Sequence, residues 1–179
     1  MRFDITDLAH GLVKVLRNGS DRTKADRLAW SALILLPVLA GGVMLVFCTP
    51  LRAPGSVLTG VAILAGGFLT SFTHLSTLRA KLTDRADVYS EAEEPERDLL
   101  DEVATLLLVA TLSAVLTAVV LVASMNLSST PELSGWAGAV PTAAAVWTLT
   151  LFVLTIPRLY NAYLQLNKVR PALSGANRR

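Results

Sequence analysis

Residues that carry chemistry are scarce in this chain. Among 179 residues there is one cysteine, Cys48, and there are two histidines, His10 and His74. A lone cysteine excludes an internal disulfide. Two histidines so far apart exclude a Cys/His metal set with ligand spacing. No Gly-rich loop stands between a strand and a helix, so no nucleotide motif is present. Serines within the apolar runs have no nearby base to activate them, which a nucleophile requires.

Charge is the second scarcity. Asp, Glu, Lys and Arg make up 17% of the chain, against roughly 25% in soluble domains. No charged residue lies between Arg27 and Arg52, between Arg52 and Arg79, between Glu102 and Glu132, or between Glu132 and Arg158. Roughly 20 apolar residues suffice to cross the hydrocarbon core, and every one of these gaps is longer. The sequence therefore predicts an all-α integral membrane protein with four transmembrane helices arranged as two hairpins. The spans read as about 29–49, 56–77, 102–125 and 136–157. The segment before the first span is too long and too charged for the n-region of a signal peptide. Phe47 before Cys48 does not fit a lipoprotein cleavage site, and Cys48 reads as an inert residue near a span end.

The basic residues give the orientation. Six lie in 1–27, one (Arg52) in the first short loop, four in 79–102, none in the third loop and five in 158–179. Cytoplasmic flanks are enriched in Lys and Arg, so both termini and the middle connector are expected in the cytoplasm of a multi-pass plasma membrane protein, with a bacterial inner membrane as the setting. Trp30, Trp136, Tyr160 and Tyr163, with Arg158, Lys168 and Arg170, are expected to anchor the spans at the lipid interface. Trp147 falls nearer mid-span and reads as a packing residue.

This divides the chain into five parts: a basic, amphipathic N-terminal segment (1–27), a first hairpin (28–78), an acidic cytosolic connector (79–101), a second hairpin (102–157) and a basic tail (158–179). Within the first part, Ile5, Leu8, Leu12, Val15 and Leu16 recur at helical spacing. Such a helix either lies in the lipid interface or covers a cytosolic groove. In the connector, "EAEEPERDLLDE" lacks the alternating ligands and the glycine of a calcium loop. Pro95 with Glu96, Asp98, Asp101 and Glu102 instead marks a helix start that runs straight into the third span.

Two faces carry small residues at helical spacing. Ser56, Gly60, Gly67, Ser71 and His74 of the second span fall within about 60° of one another at 3.6 residues per turn. Ala110, Ser113, Thr117 and Ser124 repeat the pattern in the third. Such faces let membrane helices approach closely, and they are expected either to pack the bundle or to join subunits. Past the second span, Leu75, Leu78, Leu82, Ala86 and Tyr89 continue a heptad-like stripe. The helix is expected to project into the cytoplasm, with that stripe as a surface for a soluble partner. His74 reads either as a polar tip at the headgroup level or as a pH-sensitive gate, since histidine titrates near neutrality.

Membrane enzymes and coupled transporters carry ionisable groups within their spans, and here His74 is the only one. The expectation is a non-enzymatic protein with no cofactor and no metal. Its partners would be the bilayer, further copies of itself and a soluble cytosolic protein, with no nucleic acid contacted directly. An oligomeric pore or membrane-depolarising effector is the alternative, and a small transporter or accessory subunit a lesser one. In size and topology the chain looks like the small multi-span sensors and effectors of bacterial defence and toxin operons, which implies a membrane sensor or a depolarising effector.

Overall fold

The computed structural model describes residues 27–83, 94–129 and 131–173. Its helices are α1 (Arg27–Val46), α2 (Pro54–Thr83), α3 (Glu94–Leu127) and α4 (Trp136–Leu173). All four are long and apolar enough to cross a membrane, over Leu28–Val46, Pro54–Thr77, Leu100–Leu127 and Trp136–Asn161. These limits fall close to those read from the gaps between charges.

Local chemistry accounts for the helix ends. Pro54 opens α2 and Pro95 lies in the first turn of α3. There the missing N–H costs nothing and the fixed φ is already helical. α1 stops before Cys48, whose φ of 49° lies in the left-handed region, and Pro50 follows. α4 starts after Gly135, whose φ of 58° suits glycine. The Gly135 carbonyl accepts from the N–H groups of Gly138 and Ala139. α2 runs unbroken past the end of its span to Thr83, and α3 runs from Glu94 straight into the membrane region.

The helices do not sit in chain order. α1 packs on α4, α4 on α3 and α3 on α2, with only a slight touch between α2 and α4. Among the described residues α1 meets neither α2 nor α3. The spatial order is thus α1–α4–α3–α2. The second pair, α3 and α4, packs as a hairpin. The first pair is joined by a loop, but its two helices stand apart instead of packing on each other. Gly41 supplies a physical reason. A Cβ there would come 3.3 Å from both the Ala139 carbonyl oxygen and the Ala143 Cβ, so α1 and α4 approach too closely for a larger residue. α2 offers α1 no such match, because its own contact stripe faces α3.

That stripe is Pro54, Val61, Phe68 and Leu75, all buried and spaced by seven residues. Near the end of the bundle where α1 begins and α4 ends, Phe68 and Leu75 join a cluster with Leu33 of α1, Val103 and Leu107 of α3, and Leu151 of α4. Phe68 also meets Phe152 of α4 edge to face, with ring centroids 5.8 Å apart.

At the opposite end, the two interhelical loops are tied together. The Leu51 N–H donates to the Leu133 carbonyl at 2.8 Å, and the Leu133 N–H donates to the Leu51 carbonyl at 3.1 Å. This isolated antiparallel bridge joins the connection between α1 and α2 to the one between α3 and α4. Loop end and tail end are used below for the two ends of the bundle.

Candidate interaction surfaces

The two small-residue faces have different fates. In α3, Ala110 is 0% and Thr117 2% exposed, while Ser113 and Ser124 are part-buried. In α2, Ser56, Gly60, Gly67 and His74 are exposed and Ser71 is part-buried. A Cβ added at Gly60, Gly66 or Gly67 would meet nothing within 4 Å. The α3 face therefore contributes to packing inside one chain, whereas the α2 face, apart from part-buried Ser71, points outward with no described residue packed over it.

Many hydroxyls in the spans bond their own helix, whereas Thr142 Oγ1, buried in α4, has no hydrogen-bond partner among the described residues. Thr59, Thr70, Thr73 and Ser76 of α2 each donate to the carbonyl four residues back, at 2.8 to 3.0 Å. Thr111, Thr150 and Thr155 do the same in α3 and α4. An unpaired hydroxyl in an apolar medium costs several kcal/mol, and this back-bonding removes the penalty without a partner helix. Thr117 and Thr148 differ. Their oxygens are 3.1 Å apart across the α3–α4 interface, and Thr117 Oγ1 also lies 3.2 Å from the Ala144 carbonyl oxygen. Thr148 is 0% exposed, so this pair is a polar clasp within the bundle.

Leu75 is 4% exposed, inside the cluster with α3. It is covered by its own chain, so it is not part of an exposed partner surface here. The reason is the seven-residue stripe: Leu75 continues Val61 and Phe68, not the Gly60–Gly67 face. The side chains of Leu78 and Leu82, and all of Ala86 and Tyr89, lie outside the described residues.

The interfacial residues also divide. Trp136 is 73% exposed, and Tyr160 and Tyr163 are 60% exposed. Trp30 packs against the core cluster, as does Trp147. Arg158 is part-buried and its Nη1 is enclosed by the protein, so its head group does not lie free at the surface. The side chains of Lys168 and Arg170, and the amphipathic segment 3–17 with His10, lie outside the described residues.

Cys48 is exposed at the loop end. Among the described residues no group of three His, Cys, Asp or Glu side chains could hold a metal ion. Sequence reading missed the Leu51–Leu133 bridge and the tight seat behind it, where a Cβ at Gly138 would lie 2.5 Å from the Leu133 carbonyl oxygen. A one-residue bridge has no period to detect. Its only trace is the Pro, Gly and Ser of the two loops. Comparison with family models, curated protein sequences and solved structures found no match.

Proposed function

We propose that this chain is a non-enzymatic, multi-pass membrane protein whose copies associate through the outward face of α2 and whose cytosolic segments dock a soluble partner. The contrast between helix surfaces carries this reading. α1, α3 and α4 present bulky aliphatics to their surroundings: Leu35 and Val38, Leu116 and Val119, Val153 and Ile156 are all more than half exposed. The exposed surface of α2 over its span is instead mostly Gly, Ser and Thr, with His74, and its strongly exposed bulky aliphatics are Ile63 and Leu69. Lipid tails solvate Leu and Val as well as a protein core does, so helix association in bilayers relies on close backbone approach at small residues. A polar side chain at membrane depth also gains from a protein neighbour.

The loop end is assigned to the outside and the tail end to the cytoplasm, on the distribution of Lys and Arg. That assignment puts the continuations of α2, α3 and α4 on the side where a soluble partner would be met. A role as membrane sensor in a bacterial defence or stress system is the concrete form of this reading. The pore reading draws less support, because Thr117 and Thr148 are sealed within one chain and the α2 hydroxyls bond their own backbone.

The test is particle mass in native lipid nanodiscs for wild type and for Gly60→Leu/Gly67→Leu. Both positions are exposed, and a Cβ at either meets nothing within 4 Å in the single chain. Loss of the oligomer with retained helicity is the expected result. An oligomer that survives both substitutions overturns the reading.

A further inference from the structure

The attachments of α2 are uneven along its length. Its tail-end half is held by Phe68 and Leu75 in the main cluster. In its loop-end half, before Gly66, only Pro54 and Val61 are buried. Leu64 packs part-buried against the edge of the main cluster, and beyond it toward the loop end the remaining hold is the backbone bridge at Leu51, three residues before the helix starts. The two ends of that bridge are anchored differently. Leu133 is 1% exposed and seated against Gly138, whereas Leu51 is only part-buried. Leu133 is thus the firmly seated end of the bridge and Leu51 the more exposed one.

Between the two holds lies Gly66–Gly67. Neither glycine has a side chain packed against it, and a Cβ at either would meet nothing within 4 Å. Glycine is the most flexible residue within a helix, and Gly/Ser pairs are recurrent bend points. Thr70 Oγ1 also donates to the Gly66 carbonyl at 2.8 Å, an arrangement that favours bending. Among the described residues α1 makes no close backbone approach to α2.

We propose that the loop-end half of α2 is a strap, latched by Leu51–Leu133 and hinged at Gly66–Gly67, that swings away from α3 when the latch releases. The proposal does not depend on self-association or on any partner. It makes the membrane-embedded surface of α2 switchable from the loop end.

The experiment is a pair of spin-label distance distributions in bilayers, in a Cys48→Ser background diluted with unlabelled protein. One pair, Thr59→Cys with Ala123→Cys, reports the loop-end halves of α2 and α3. The other, Thr73→Cys with Leu112→Cys, reports the clustered half. All four positions are exposed. Gly138→Ala pushes the Leu133 carbonyl out of place, and Leu51→Pro independently removes the Leu51 N–H donor. In both variants the long-distance fraction of the first pair should rise several-fold while the second pair stays unchanged. Adding Gly66→Ala/Gly67→Ala to Gly138→Ala should reverse most of that rise. An unchanged first pair in both latch variants, a parallel broadening of both pairs, or no effect of the alanines at the hinge would each overturn the proposal.

Discussion

Replacing Thr117 and Thr148 by valine isolates the polar clasp between α3 and α4. Valine keeps the shape and removes the hydroxyl. The two oxygens are 3.1 Å apart, and each can still donate within its own helix, Thr117 to Ser113 at 2.8 Å and Thr148 to Ala144 at 3.1 Å. Neither single variant strands a buried polar group, because the remaining hydroxyl can still donate to its own helix; the in-helix bond lost with the removed hydroxyl cancels in the cycle, which leaves the contact across the interface. Such contacts between membrane helices average about 0.6 kcal/mol and reach about 1.7 kcal/mol. A double-mutant cycle on unfolding in mixed micelles should return a coupling of that size, about a threefold change in equilibrium constant at the lower figure. Thr111 and Thr150 make a matched control. Both bond only the carbonyl four residues back, at 2.8 Å, so the cycle through their valine variants should be additive. A coupling indistinguishable from that of the control pair would refute the interhelical assignment, and a larger coupling in the control pair would refute the α3–α4 register.

Leu106 is 0% exposed and Leu116 64% exposed, fewer than three turns apart on α3. Leu106→Ala should cost about 2 kcal/mol of unfolding stability, the low end for a buried leucine because lipid replaces water as the alternative environment, whereas Leu116→Ala should stay within about 0.5 kcal/mol. Gly41→Leu forces a side chain into a 3.3 Å contact with α4 and should destabilise by about 1–3 kcal/mol, read by the same micelle titration. Leu51→Cys/Leu133→Cys in a Cys48→Ser background should form a disulfide readily, since an antiparallel hydrogen-bonded pair has Cα atoms about 5.5 Å apart, within disulfide range. A membrane-impermeant reductant should break that disulfide from the outside of intact cells, and protection from the outside would reverse the orientation.

The sequence carried the spans because their signal is one-dimensional: a run without charge long enough to cross a bilayer. It carried the helix past Thr77 as well, since nothing between His74 and Thr83 breaks it. The spatial order of the helices was not legible. In water an apolar stripe marks the buried side, but in lipid Leu35 facing outward and Leu33 facing inward look alike. Gly41 and Gly60 are equally small, yet one is pressed against α4 and the other faces open space. The difference lies in the partner helix, which no single segment encodes. Leu75 fell on the wrong face for a related reason. The stripe of Val61, Phe68 and Leu75 and the face of Gly60, Gly67 and His74 run side by side, about 100° apart, and Leu75 follows His74 directly, so the two faces meet there in adjacent residues.

Thiol cross-linking in native membranes separates association through α2 from association elsewhere, with single cysteines placed at Gly60 on the outward face of α2 and at Leu116 on the outward face of α3, each in a Cys48→Ser background. Covalent dimers are expected from Gly60→Cys and only monomer from Leu116→Cys, although both positions are exposed in the single chain. Cross-linking from Leu116→Cys with none from Gly60→Cys, or monomer from both, would contradict association through α2.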